Sequence, residues 1–167
     1  MAQETTTPPV PVAAAPKQGA AVLLRYGNDM LLMLRDDKPG LPSALQWSVF
    51  AGGIEEGETA EITIGRELRE ELGGQVQVER LGKTPANTWF TASITGQHAA
   101  NLKRGEGCGH GFFSFDALVW MSKIDGKLGL GGAIKKFMER APEEIRIFLQ
   151  SGRNPNLSVL TGIIVEP

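Results

Sequence analysis

The 167-residue chain has little cysteine, no excess of basic charge and no long hydrophobic run, and each scarcity excludes a class of protein. A single cysteine, Cys108, rules out an internal disulfide and a multi-cysteine zinc site. Because 17 basic residues are balanced by 19 acidic ones, no broad basic surface is available to bind duplex nucleic acid. Any nucleotide partner should then be small, and the cytoplasm is the expected compartment.

The first 19 residues are interrupted by proline and contain only short apolar runs. Prolines at 8, 9, 11 and 16 prevent a helix, so we predict a disordered tail over residues 1–19. The whole chain has 41% hydrophobic and 22% charged residues, an ordinary globular composition, and we predict one domain over residues 20–167. Glu4 precedes any basic residue, which argues against a secretory signal, and no run could span a bilayer, so no membrane association is expected.

Short apolar segments alternate with turn signals along the predicted domain. Residues 20–26 and 30–35 flank a Gly-Asn-Asp turn and predict a hairpin. Further strands are predicted at residues 47–50, 76–80, 88–94 and 111–115, with a flexible loop between the last two. Residues 133–140 and 142–150 predict helices that pack on the sheet, with a homodimer interface as the less favoured alternative. This order indicates an α+β layered sandwich.

One helix is predicted inside the run of strands. Thr59 is expected to cap its N-terminus, no proline interrupts residues 59–72, and Gly73 and Gly74 end it. A helix with such clear start and stop signals is the best-defined element of the sequence.

Three glutamates of this helix, Glu67, Glu70 and Glu71, fall within about a 100° arc, on a face that we expect to be exposed to solvent. Like charges at this spacing repel one another. A hard divalent cation such as Mg²⁺ would neutralise them, since it binds carboxylates together with the phosphates of a substrate. The alternative is an ordinary solvated helix face, which a charge run alone favours.

A glycine-containing loop and an arginine flank the glutamates at a defined spacing. The specified positions are Gly52, Glu58, Arg66, Glu67, Leu68, Glu70, Glu71 and Gly73. At average residue usage this string would match by chance on the order of once in a billion start points. It resembles the signature of the Nudix hydrolase family, and looser similarity extends over most of residues 20–118. Two positions depart from the signature: Ala51 replaces the first glycine of the usual pair, and Gly74 replaces an apolar residue.

The resemblance implies a Nudix-like α/β/α sandwich with a mixed central sheet and one internal catalytic helix. It also implies that the Gly52 carbonyl and the carboxylates of Glu67, Glu70 and Glu71 hold Mg²⁺, for which Mn²⁺ can substitute. Neither departure from the signature removes one of these carboxylates.

The resemblance also implies roles for the residues around the metal ligands. Arg66 and Glu58 are expected to pair and to brace the loop against the helix. Glu67 is the preferred general base. Glu106, in the loop before the last predicted strand, is a second candidate for the base or for a further metal ligand. The alternative for Glu106 is an ordinary solvated loop residue.

Substrate contacts are expected from Arg35, Trp47 and Trp89. Either tryptophan could stack on a base, although a tryptophan in a strand is more often part of the core. His98 and His110 do not have the spacing of a zinc site and receive no role.

The function implied by the resemblance is Mg²⁺-dependent hydrolysis of a diphosphate linkage in a nucleoside diphosphate joined to another group. A nucleoside triphosphate is the first expected substrate and a nucleotide sugar the second, because the further signatures of relatives acting on ADP-ribose, coenzyme A or NADH are not evident. The alternative is a non-catalytic nucleotide-binding module of the same fold, against which the complete set of glutamates argues. A generic acidic scaffold would show no metal dependence.

Overall fold

The computed structural model describes residues 17–102 and 108–167. The elements within these ranges are β1 Gly19–Tyr26, β2 Asp29–Leu34, β3 Trp47–Ser48, β4 Phe50–Gly53, α1 Ala60–Leu72, β5 Glu79–Lys83, β6 Asn87–Ser93, α2 Gly96–Ala100, β7 Gly109–Phe113, α3 Phe115–Met121, α4 Gly132–Arg140, α5 Pro142–Ser151 and α6 Leu157–Thr161. Of the helices in the part of the chain described, none is long and apolar enough to cross a membrane.

The strands form a mixed sheet around β1. Strand β1 runs parallel to β6 and antiparallel to both β2 and β4. Strand β2 also pairs with β3 and β7, and β5 pairs with β6, all antiparallel. The combination of one parallel pair with several hairpin-like pairs gives the mixed sheet that was predicted, and the α+β class is confirmed.

Helices cover both faces of this sheet, because successive side chains of β1 point to opposite sides. The even-numbered residues Ala20, Val22 and Leu24 pack beneath α1 in a cluster that includes Ile64, Leu68, Leu72, Phe50 and Phe90. The odd-numbered residues Ala21 and Leu23 pack beneath the C-terminal helices, in a cluster that includes Ile134, Phe137, Ile145 and Phe148. We call these the α1 face and the C-terminal face. The predicted helices after residue 132 therefore pack on the sheet.

Three of the predicted strands differ from the structure. Residues 47–50 are divided between β3 Trp47–Ser48 and β4 Phe50–Gly53, so that the glycines predicted as a turn belong to a strand. Strand β5 occupies Glu79–Lys83, not residues 76–80, because Val76 and Val78 pack beneath α1 without pairing in the sheet. Strand β7 occupies Gly109–Phe113, not residues 111–115, because the Ser114 hydroxyl accepts a hydrogen bond from Ala117 N and caps α3. An alternating apolar pattern cannot distinguish a paired strand from an extended segment.

Short capped helices were missed by the sequence analysis. The predicted flexible loop contains α2, in which Thr95 and His98 form a reciprocal capping pair. Helix α6 is likewise capped by Asn156. At the N-terminus, the predicted tail over residues 1–19 lies mostly outside the described residues. Its last residues belong to the fold, since Gly19 N donates to Ala86 O and Gln18 O accepts from Ile54 N.

Candidate active site

The loop and helix that carry the glutamates are defined by local capping. The Thr59 hydroxyl accepts a hydrogen bond from Ile62 N, at 3.2 Å, and starts α1. Gly73 ends the helix with a φ of 70°, a left-handed conformation that glycine adopts without a Cβ penalty. The predicted central helix is thus present with both of its predicted caps.

Arg66 and Glu58 form the expected contact between helix and loop. Arg66 Nε donates to Glu58 Oε1 at 2.9 Å, and an Arg66 terminal nitrogen donates to Glu58 Oε2 at 3.1 Å. The Thr63 hydroxyl donates to the same carboxylate at 2.8 Å. The hydrogen bonds from Arg66, followed by that from Thr63, lower the pKa of Glu58 from 4.5 to about 2. The carboxylate therefore stays ionised, and the bidentate pair fixes its orientation.

Glu67 lies against Gly52, near the end of β4. A Cβ added to Gly52 would come within 2.5 Å of Glu67 Oε1, so any larger residue at this position would force the Glu67 side chain to move. Arg66 Nη1 also donates to Glu67 Oε1 at 3.0 Å. The Glu67 side chain is 21% exposed. The structure therefore brings Gly52, Glu58, Arg66 and Glu67 together at the junction of β4 and α1.

Glu70 and Glu71 have contrasting environments, although both belong to the predicted glutamate face. The side chain of Glu70 is 62% exposed and lies 3.9 Å from Arg66 Nη1. The side chain of Glu71 is only 7% exposed. The expectation of a uniformly solvent-facing cluster was wrong for Glu71, because α1 packs closely on the sheet and its helical angle turns Glu71 toward that interface.

The residues fit a divalent cation by donor type and by the contact between Glu67 and Gly52. Carboxylate and backbone carbonyl oxygens are the ligands that hard cations prefer, and the space where a Gly52 Cβ would lie is filled by a Glu67 carboxylate oxygen. Within residues 17–102 and 108–167, no group of three acidic, histidine or cysteine side chains is gathered closely enough to hold a metal. The predicted ligand set of Gly52, Glu67, Glu70 and Glu71 stays a prediction.

His110, to which the sequence analysis gave no role, lies beside Glu71. Its Nε2 is 3.3 Å from Glu71 Oε2, and its side chain is 10% exposed. The ring stacks on Phe50, with centroids 5.6 Å apart and planes 7° apart. The two residues are far apart in sequence and meet because β7 joins the sheet through β2. Alternation along the strand places His110 on the same side as Phe112, which was the only signal in the sequence. Alternation does not indicate which helix that side faces.

Arg35 lines a pocket at the start of the loop. This pocket, of about 320 Å³, is bordered by Arg35, Asp36, Lys38 and Ala51, together with apolar side chains. Ala51 of this pocket immediately precedes Gly52, the residue that Glu67 contacts, in β4. Arg35 and Lys38 are cationic side chains of the kind that contacts phosphates, and Lys38 also forms an ion pair with Asp36 at 3.3 Å.

The two tryptophans are placed elsewhere. Trp89 is 3% exposed and packs on Phe137 in the core of the C-terminal face, with centroids 5.0 Å apart. Trp47 is partly buried against the same cluster and meets Phe113 edge-on, with centroids 4.8 Å apart. Both side chains are therefore occupied by core packing, which corrects the expectation that they stack on a substrate base. The odd numbering of Trp89 directs it away from the α1 face.

A larger hollow of about 770 Å³ lies on the C-terminal face, with Trp89 and Phe137 among its lining residues. It is separated from the glutamates by the sheet, so its volume does not identify it as the site of chemistry. Glu106, the second predicted base, lies outside the described residues.

Comparison with known protein families agrees with this geometry. The family model of the NUDIX domain matches residues 15–134, which is more than half of the chain. The protein belongs to the NUDIX domain family, whose members generally use divalent metal cations.

Relatives are similar over part of their length. Nucleoside triphosphatase NudI of Enterobacter sp. is 37% identical over 68 residues, which are 41% of this chain and 43% of that protein. Nucleoside triphosphatase NudI of Escherichia coli is 42% identical over 50 residues, or 30% of this chain and 34% of that protein. The chain thus spans less than half the length of these curated relatives.

Solved structures share the fold over most of the chain. A crystal structure of a Deinococcus radiodurans protein has a TM-score of 0.61 at 16% identity and covers 81% of this chain and 89% of its own. A mutT/nudix family protein from Listeria innocua has a TM-score of 0.60 at 18% identity, over 79% of this chain and 96% of its own. At these identities the similarity shows a common fold.

Proposed function

We propose that this chain is a Mg²⁺-dependent hydrolase that cleaves a diphosphate linkage in a small nucleotide, with a nucleoside triphosphate as the preferred substrate. The contact of the Glu67 carboxylate with the Gly52 backbone is the observation that carries the proposal. It places the Glu67 carboxylate beside Gly52. The loop that follows β4 is held in place by the bidentate pair of Arg66 and Glu58. Placement of a proton acceptor by a rigid network is a basic requirement of general base catalysis.

Each residue of this network has a distinct task in the proposed reaction. Glu67 accepts a proton from the attacking water. The oxygen of that water forms a bond to phosphorus while one P–O bond of the diphosphate breaks. Arg66 holds both Glu58 and Glu67 through hydrogen bonds, so that loop and helix act as one unit. Bound Mg²⁺, held by Gly52, Glu67, Glu70 and Glu71, would supply charge neutralisation and a more acidic water. Glu106 is retained as the alternative base.

The proposed substrate follows from the pocket beside the loop and from the relatives. Arg35 and Lys38 line a pocket that adjoins Ala51, where they would contact phosphate oxygens. Both relatives described above bear the name nucleoside triphosphatase, and their similarity to this chain exceeds 35% identity over the matched segment. The single Cys108 supports a cytoplasmic location.

A substrate screen tests the proposal directly. The purified full chain is incubated with nucleoside triphosphates, nucleotide sugars and dinucleotides, each with Mg²⁺, with Mn²⁺ or with a chelator, and the phosphorylated products are separated and quantified. We expect Mg²⁺-dependent cleavage that is fastest with a nucleoside triphosphate. Faster cleavage of a nucleotide sugar would show that a nucleotide sugar is the preferred substrate. Turnover that persists with the chelator would contradict the metal dependence.

A matched pair of variants shows that any turnover belongs to this site. Glu67→Gln removes a carboxylate from the loop contact, whereas Glu139→Gln removes an exposed carboxylate from α4, on the opposite face of the sheet. We expect loss of turnover in the first and normal turnover in the second. Equal activity in both would assign the hydrolysis to a contaminant or to another part of the chain.

A further inference from the structure

His110 belongs to β7, and its side chain is 10% exposed. Its ring lies parallel to that of Phe50, a member of the core cluster under α1, at a centroid distance of 5.6 Å. Phenylalanine has the shape to fill such a stacked position, so packing alone does not account for a histidine. The ring nitrogens distinguish the two side chains.

One of these nitrogens approaches a carboxylate that is equally buried. His110 Nε2 lies 3.3 Å from Glu71 Oε2, slightly beyond the usual length of an N–H···O hydrogen bond. The side chains are 10% and 7% exposed, respectively. Because a buried polar group loses the hydrogen bonds of water, it needs partners in the protein. The two atoms lie within ion-pair distance of each other, although the contact does not have hydrogen-bond geometry.

The contact bears on the site because Glu71 is one of the proposed metal ligands, while its neighbour Glu70 is mostly exposed. An exposed glutamate must be ordered when a cation binds, which costs side-chain entropy. A glutamate whose carboxylate is buried against a fixed side chain is ordered beforehand. Carboxylates that bind metals are themselves commonly hydrogen-bonded, and removal of such partners typically weakens metal binding.

We propose that His110 is a positioning residue that orders the Glu71 carboxylate for divalent metal binding, an inference that rests on the proposed function. His110 contributes in two separable ways. Its ring fills the space over Phe50, and its Nε2 restrains one oxygen of Glu71. The substitution of a single side chain can remove either contribution.

Two variants separate the ring from the nitrogen. His110→Phe keeps a ring that can stack on Phe50 and removes the donor. His110→Gln keeps an amide nitrogen that can reach the same carboxylate and removes the ring. His98→Gln is the control, since His98 is the other histidine of the chain and contacts Thr95 and the Gln75 carbonyl instead of a glutamate.

The measurement is Mn²⁺ affinity of the full chain without substrate, from the loss of the free Mn²⁺ signal in electron paramagnetic resonance. We expect about 10- to 100-fold weaker binding in His110→Phe. His110→Gln should recover a large part of that loss, and His98→Gln should bind as the unsubstituted protein does. Circular dichroism melts establish that each variant is folded at the temperature of the titration.

Two outcomes would overturn the proposal. Mn²⁺ affinity in His110→Phe equal to that of the unsubstituted chain would reduce the residue to a packing role. Equal weakening in His110→Phe and His110→Gln would show that the ring shape matters and the donor does not. Failure of the proposed function is recognised separately, because a chain that binds Mn²⁺ and hydrolyses no diphosphate substrate still yields the comparison of affinities.

Discussion

The two faces of the sheet are both covered by helices but differ in what they bury. The C-terminal face buries mainly apolar side chains, among them Trp89, Phe137 and Phe148. The α1 face also has an apolar core, but at its edge it includes the buried Glu71 beside His110. Next to this pair, Arg66 holds two glutamates.

This difference indicates that the C-terminal face mainly stabilises the fold, whereas the α1 face also carries the residues of the proposed reaction. An apolar interface tolerates no charge without a partner, whereas the α1 face provides partners for several carboxylates. Variants in the apolar core of the C-terminal face should therefore change the free energy of unfolding, and variants of the proposed base and ligands on the α1 face should mainly change turnover. Five substitutions test this division, in order of decreasing expected effect.

Glu67→Gln should lower kcat by about 10²- to 10⁴-fold, because it removes the proposed base from its contact with Gly52. Glu106→Gln provides the comparison and should lower kcat by about ten- to ten-thousand-fold if Glu106 supplies the base or a further ligand. Steady-state kinetics with Mg²⁺ rank the two. Normal kinetics in Glu106→Gln would leave the base on α1, while the opposite ranking would move it to the loop.

Glu71→Gln should also lower turnover, by about 10²- to 10³-fold, because the amide is a poorer ligand for a hard cation. Since the Glu71 side chain is only 7% exposed, we expect a measurable change in the denaturation midpoint as well. Glu70→Gln, at a side chain that is 62% exposed, should leave that midpoint nearly unchanged. Equal shifts in the two variants would contradict the buried placement of Glu71.

Gly52→Ala should lower kcat by about 10²-fold without removing any carboxylate. The added methyl would come within 2.5 Å of Glu67 Oε1, so the carboxylate would have to move out of its position, and a small misplacement of a catalytic group is costly. Gly53→Ala is the matched control, because a Cβ on Gly53 meets no atom within 4 Å. Similar activity in both variants would show that Glu67 does not depend on its contact with Gly52.

Phe148→Ala should destabilise the fold by about 3–5 kcal/mol, because Phe148 is 2% exposed in the core of the C-terminal face. At low denaturant the folded fraction should keep normal kcat. Trp120→Ala, at a side chain that is 67% exposed, should change stability by less than about 0.5 kcal/mol. A loss of kcat in folded Phe148→Ala protein would show that the two faces are not independent.

Glu58→Gln should remove a pH-dependent part of the stability. The hydrogen bonds from Arg66 lower the folded-state pKa of Glu58 from 4.5 to about 2. Stability from this pair is therefore complete above about pH 4.5 and is lost as the pH falls toward 2. Urea midpoints of the variant and the unsubstituted chain should differ most near neutral pH and converge in acid. A difference that stays constant over this pH range would exclude the linkage.

The sequence predicted local features better than distant contacts. Thr59, Gly73 and the helix between them follow from capping chemistry within a few residues, and they are present as predicted. The contact of Arg66 with Glu58 also lies within one loop and helix. By contrast, the strand predicted at residues 76–80 lies at Glu79–Lys83, because pairing with β6, which an apolar pattern does not encode, decides its position.

Contacts between side chains that are distant in sequence were not predicted. Trp89 and Trp47 were expected to contact a substrate, and the structure buries Trp89 and partly buries Trp47 in the cluster under the C-terminal helices. His110 was given no role, and the structure places it beside Glu71. In each case the outcome depends on which face of a strand is covered by which helix, a property of the whole sheet.

By itself, then, the sequence determined the spacing from Gly52 to Gly73 and with it the family, because loop, cap and helical periodicity act over short distances. Only the tertiary structure decided which carboxylate is exposed and which is buried. Glu70 and Glu71 are adjacent and chemically identical, yet one is mostly exposed and the other lies buried beside a histidine from a distant strand. Their difference arises from the angle at which α1 packs on the sheet and from the register that pairs β7 with β2.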